Sequence, residues 1–243
     1  MKKLVALSLA LVSGSTFAFE PGEEYGIIGA SGTFGQSVYS TEDSAKFGIT
    51  PNLFYYGERG FIDGSLASYN VLPYVGISGN WRFAQVSNTF DTIPDGIDER
   101  DGNLELGLTI GTPGARITYL QDVMNVHGGK EIQVHLGKTF NTPMRRFTLT
   151  PYVELDWRDR KLSDHLYGVS AAESNASGLK QYDASSSFVY QAGVIGLYDF
   201  SKKLVIISKA RMESHDDDSP IVQRNFGWSF EVGLTYKFAG KSW

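Results

Sequence analysis

The sequence contains no cysteine. Disulfides, thiol nucleophiles and thiolate metal sites are excluded together, and stability has to come from backbone pairing and burial. After residue 18 there is no apolar run near the roughly 18 uninterrupted residues that a membrane helix requires. A basic excess is missing as well, with 22 Lys and Arg against 27 Asp and Glu. Nucleic acid is therefore excluded as a partner, because phosphate backbones are bound by clustered cations. No low-complexity linker divides the chain, so one domain is expected.

The first eighteen residues have the form of a secretory signal peptide: Lys2 and Lys3, an apolar stretch from Leu4 to Val12, and small residues approaching Ala18. That stretch is too short to span a bilayer. Thr16 and Ala18 occupy the positions read before a cut at Phe19, and with no Cys after it a lipoprotein is excluded. The expected division is signal peptide 1–18 and a single domain 19–243, which is 225 residues (243 − 18) with 20 basic against 27 acidic side chains, a net charge of 20 − 27 = −7.

The rhythm of that domain has period two. Phe226, Trp228, Phe230, Val232, Leu234, Tyr236 and Phe238 alternate with Gly227, Ser229, Glu231, Gly233, Thr235 and Lys237. The same alternation runs through Val75–Phe83, Leu104–Ile110 and Phe147–Trp157. A soluble sandwich and a membrane barrel both produce it in a single strand.

Three features favour the barrel. Several segments alternate for ten or more residues, the length a tilted strand needs to cross hydrocarbon, whereas soluble strands average about 5 to 6. Aromatics gather near strand ends (Tyr55, Tyr56, Phe140, Phe147, Trp157, Tyr198, Phe200, Phe226 and Trp228), where rings sit at lipid headgroups. Connections alternate between tight turns, such as Gly57–Gly60 and Thr112–Gly114, and the long polar stretches Gln85–Asp101 and Asp159–Ser187. Strand starts number about eleven by this pattern, but bacterial barrels have even counts. Either an early segment between Tyr25 and Tyr69 is miscounted or a strand hides in Gln85–Asp101. The expectation is an all-β, antiparallel up-and-down outer-membrane barrel of about twelve strands, with ten as the alternative.

With apolar faces toward lipid, the inward set includes Arg82, Glu105, Arg116, Glu154, Asp156, Arg158, Lys209, Arg211, Glu213, Glu231 and Lys237. Both signs are present, so these side chains can pair across a narrow, blocked lumen. A selective pore is the alternative use of the same residues.

Chemistry-bearing patterns are thin. Gly29-Ala30-Ser31-Gly32-Thr33 lacks the final Gly and the strand-to-helix setting of a nucleophile elbow. His127, His135, His165 and His215 show no ligand spacing. Glu213 with Asp216, Asp217 and Asp218 reads as a solvated acidic loop without the alternation of a calcium site. No enzyme, cofactor or metal is expected.

From Leu166 to Tyr182 the chain reads LYGVSAAESNASGLKQY. Tyr167-Gly168-Val169-Ser170, Glu173-Ser174, Ser177-Gly178-Leu179 and Tyr182 follow the order of a segment characteristic of the MltA-interacting protein (MipA) and OmpV family, which this chain resembles. Asp218-Ser219-Pro220-Ile221-Val222 and the final strand Gly233–Phe238 extend the resemblance over the C-terminal third. It implies an outer-membrane barrel, in contact with lipid and lipopolysaccharide, that holds a lytic transglycosylase and a peptidoglycan synthase as a scaffold, or an osmoregulated surface or adhesion protein. Tyr167 and Tyr182 are expected to pack the long loop over the barrel mouth, with Gly168, Ser170 and Ser177-Gly178 as turn and cap residues. Family barrels usually end on the last strand's aromatic, whereas here five residues follow Phe238, and Trp243 is a candidate substitute.

Overall fold

A computed structural model describes residues 24–87 and 92–240. The expected signal peptide and Trp243 lie outside these residues. Thirteen strand segments are present: β1 (Tyr25–Gln36), β2 (Lys46–Gly57), β3 (Gly60–Asp63), β4 (Leu66–Leu72), β5 (Val75–Arg82), β6 (Asn103–Thr112), β7 (Ala115–Asp122), β8 (Lys130–Gly137), β9 (Phe140–Asn141), β10 (Phe147–Arg158), β11 (Ser187–Asp199), β12 (Leu204–Asp216) and β13 (Gly227–Ala239). Both β8 and β9 pair with β10, so they are one interrupted strand. Every neighbouring pair is antiparallel, and the pairing of β1 with β13 and of β10 with β11 closes the ring at twelve strands.

Alternation sets the two faces. In β6, Leu104, Leu106, Leu108 and Ile110 are exposed while Asn103, Glu105 and Thr109 are buried. In β13, Phe230, Val232, Leu234, Tyr236 and Phe238 are exposed while Thr235 and Lys237 are buried. An apolar outside around a polar inside is the pattern of a barrel solvated by lipid.

Two prolines sit in strands where the ladder is broken. Pro151 lies opposite Lys138, whose N–H donates to its carbonyl at 3.1 Å, and its missing N–H faces the interruption between β8 and β9. Leu53 accepts from Gly64 N at 2.9 Å, so by alternation Pro51 faces the same neighbour but lies beyond the tip of the β3–β4 hairpin.

That hairpin is two strands where the pattern counts one, which raises eleven to twelve. β3 has four residues and β4 seven, too short for a periodicity to register. Gln85–Asp101 contains no strand among its described residues. Tight connections (58–59, 73–74, 113–114, 142–146, 200–203) form one rim, which also holds the ends of β1 and β13. The connections 37–45, 83–102, 123–129, 159–186 and 217–226 form the other. Four strands separate 83–102 from 159–186, so both long loops rise from the same rim, and Gln85–Asp101 supplies no docking surface on the opposite side.

The stretch 159–186 is not irregular, since it folds into α1 (Arg160–Tyr167) and α2 (Ala171–Ser177). Tyr56, expected in an aromatic girdle, instead packs inside against Phe61, Leu66 and Leu120.

Candidate functional site: the capped barrel mouth

The helices of 159–186 are short but fully capped. Asp159 Oδ1 accepts from Leu162 N at 3.0 Å to start α1, and from Lys130 N at 3.1 Å, which ties the helix to the wall. Ser170 and Glu173 form a reciprocal capping box on α2. Gly178 ends α2 at φ 74°, the left-handed region where a side chain is strained. Ser177 Oγ donates to Glu173 O at 2.6 Å, and Ser174 Oγ to Leu179 O at 2.7 Å. Val169 and Tyr182 close the segment with an antiparallel bridge. Val169, Ser170, Glu173, Ser174, Ser177, Gly178, Leu179 and Tyr182 of the family-like segment therefore belong to one small folded unit.

This unit buries an apolar core of its own. Leu162, Leu166, Tyr167, Val169 and Ala184 pack with Val38 and Tyr39 from 37–45, Val86, Ile93 and Ile97 from 83–102, and Ile221 from 217–226. Four loops thus meet as a cap. Arg100, which no sequence pattern singles out, locks two of them: Nη1 donates to Glu173 Oε1 at 2.6 Å and Nη2 to Gly168 O at 2.9 Å. Burial by itself would raise the Glu173 carboxyl, but the Arg100 guanidinium and the Ser170 N–H and hydroxyl hold it down at about 2.

Beneath the cap lies a layer of buried charge. Arg82 Nε donates to Glu105 Oε1 at 2.9 Å, Nη2 to Glu105 Oε2 at 3.1 Å, and Nη2 also pairs with Glu131. Asn80 donates to Glu105 at 3.0 Å and Gln133 to Glu131 at 3.2 Å. Arg158 Nε stands 3.8 Å from Glu131, and its Nη1 donates to the Tyr167 phenol at 2.7 Å, which is in turn hydrogen-bonded to His215 Nδ1 at 2.9 Å. Asp156 accepts from Gln191 at 3.0 Å.

Lower down, Arg116 pairs with Asp63 at 2.9 Å and stands 3.9 Å from Glu154, which meets His135 at 2.7 Å. Lys209 lies 3.6 Å from Glu231, Arg211 lies 3.8 Å from Glu213, and Lys237 Nζ reaches Asp199 at 2.5 Å on the tight rim. Glu213 thus belongs to the interior and not to the surface acids 216–218.

His127 and His165 come together with ring centroids 5.4 Å apart. His127 Nδ1 accepts from Gly129 N at 2.9 Å, which requires that nitrogen to be unprotonated. Burial, with Arg82 and His165 close by, pushes the imidazole down to about 4. Among the described residues no group of three or more His, Asp or Glu is placed to share a metal ion.

A family model described as MltA-interacting protein MipA matches residues 28–238. Among curated proteins, the chain is 30% identical over 96 residues to the one named "Putative outer membrane protein YiaT" of Escherichia coli strain K12, an alignment covering 38% of this chain and 39% of that protein. It is 31% identical over 94 residues to the MltA-interacting protein of the same strain, covering 37% and 38%. The chain thus spans about two fifths of the length of the curated relatives it matches. Among solved structures, Neisserial surface protein A aligns over 88% of this chain and 97% of its own, at 10% identity and a TM-score of 0.32. A score that low carries no argument, and the barrel assignment rests on the closed strand register.

Proposed function

The chain belongs to the MltA-interacting protein MipA family and is an outer-membrane β-barrel, and from that premise we propose that it is a non-enzymatic scaffold, docking a lytic transglycosylase and a peptidoglycan synthase at its tight rim. The observation that carries this reading is the closure of the interior: a four-loop cap above and a layer of paired charges below occupy the mouth, which leaves the outer surfaces to act. Short turns are normally periplasmic in such barrels, and that side faces the wall.

Two abutting turns on that rim offer a grip. Asp199 N donates to Arg146 O at 3.0 Å, which holds 142–146 against 200–203. Together they expose Arg145, Arg146, Lys202 and Lys203 beside Met144 and Phe200, which are 62% and 60% exposed. Apolar anchors ringed by charge are the composition of a protein-binding patch. A channel has less support, because a conducting path would have to cross both the cap and the ion-paired layer.

The test is capture from envelope extract on the reconstituted barrel. The wild type should retain a lytic transglycosylase well above an unrelated twelve-stranded barrel, and Arg145→Glu with Lys202→Glu should abolish the difference. Equal retention by the control barrel would remove the scaffold reading.

A further inference from the structure

One stretch of the lipid-facing wall is hollow. An outward cross-strand row runs through Tyr55, Ile62, Ala67, Gly79 and Leu106 on strands β2 to β6. Its ends are bulky and its middle is small. Ala67 is exposed, and a methyl group at Gly79 would meet Leu106 Cδ2 at 3.4 Å, an ordinary contact, so these two positions leave space outside the backbone. Tyr69 and Ile77 pair in the next row toward the tight rim and stand exposed beside the hollow. Together these side chains and Arg59 border a groove of about 440 Å³, within the range of roughly 300–1,000 Å³ that holds small molecules.

The groove runs from the membrane interface into hydrocarbon. Tyr55 stacks on Phe238, next to last in β13, with ring centroids 6.2 Å apart, so both stand in the girdle of the tight rim. Because the strands tilt, the row climbs away from that rim: Tyr55 is close to its turn at 58–59, Gly79 is further from 73–74, and Leu106 is furthest from 113–114.

Arg59 marks the rim end. It lies in the turn 58–59, is exposed, and its guanidinium makes no ion pair or hydrogen bond among the described residues. Glu58 beside it in the turn, and Glu24, which accepts from the Tyr55 hydroxyl at 3.2 Å, are both beyond ion-pairing distance.

We propose that the groove holds a glycerophospholipid, one acyl chain lying over Ala67 and Gly79 and the phosphodiester bound by Arg59. Two surroundings fix this occupant. At Gly79 the solvent is hydrocarbon, so an acyl chain fills the hollow. At the rim, a guanidinium without a partner at the mouth of an apolar slot is the complement of a phosphate. The leaflet follows from the turns: tight turns are periplasmic in such barrels, and the periplasmic leaflet of an outer membrane is built of phospholipid rather than lipopolysaccharide.

The test is native mass spectrometry of the barrel extracted from outer membranes, washed free of lipid and given either phosphatidylglycerol or the diacylglycerol with the same chains. Phosphatidylglycerol should stay bound at one per barrel, and diacylglycerol should not. Arg59→Gln should weaken binding about tenfold, the loss expected for one charge-assisted contact, and it leaves the backbone bond from Asn70 N to the residue 59 carbonyl in place. Ala67→Leu should weaken binding by filling the groove. Unchanged binding in either variant overturns the proposal, as does equal retention of diacylglycerol. A wild-type dimer that Ala67→Leu dissociates also overturns it, since the groove would then seat a second copy of the chain.

Discussion

Arg158 on β10 and Tyr167 on α1 meet at 2.7 Å, a guanidinium of the barrel wall donating to a phenol of the cap. The same phenol holds His215 at 2.9 Å, and Ser219 Oγ donates to the Tyr167 carbonyl at 2.5 Å, so one residue fastens the family-like segment to two strands and a neighbouring loop. Tyr167→Phe keeps the ring against Tyr39 but leaves Arg158 and His215 without that partner. The expected loss is about 1–3 kcal/mol of cap stability, seen as faster amide exchange across 171–183 with the wall amides unchanged.

The ion layer is more exacting. Arg82→Met leaves Glu105 and Glu131 buried without their shared cation, which costs about 3–5 kcal/mol. The midpoint of urea unfolding should fall accordingly. Adding Glu105→Gln and Glu131→Gln should restore much of it, since the uncompensated charge causes the damage.

Strand rhythm in β6, β10 and β13 made the barrel legible because each buries alternate residues against different solvents on its two faces. The β3–β4 hairpin was not legible, since four residues carry barely two periods. The helices α1 and α2 were hidden for a similar reason: eight and seven residues are too short for a 3.6 period, although the Ser170 and Glu173 spacing of a capping box was present in the sequence. Arg100 could not be found at all, because it works through Glu173 and Gly168, about seventy residues away.

Caps in the family-like segment can be weighed singly. Ser170→Ala removes the α2 N-cap at a cost of about 1 kcal/mol, and Gly178→Ala forces a side chain into φ 74° at about 1–2 kcal/mol. Limited trypsin digestion at exposed Lys180 should speed up in both variants, and more in Gly178→Ala.

Acid should loosen the loops in two steps. The folded state keeps His127 neutral down to about 4 while the unfolded chain takes a proton near the ordinary value of 6.5. Stability is therefore full above 6.5 and falls as pH drops from there to 4. Glu173 has its folded pKa lowered to about 2 from 4.5, so its contribution is present above 4.5 and is lost as pH falls toward 2. Thermal melts across this range should show both slopes, with His127→Asn shrinking the upper one, to which His165, also held below its ordinary value by burial, contributes, and leaving the lower one unchanged.

Scaffolding at the tight rim is tested most directly by cross-linking in living cells, which the absence of cysteine makes clean. A photoactivatable maleimide is placed at Met144→Cys on the tight rim and, separately, at Asn175→Cys on the cap. The scaffold reading predicts an adduct with a lytic transglycosylase from position 144 and none from 175. An adduct from 175 alone, or from neither, would contradict it.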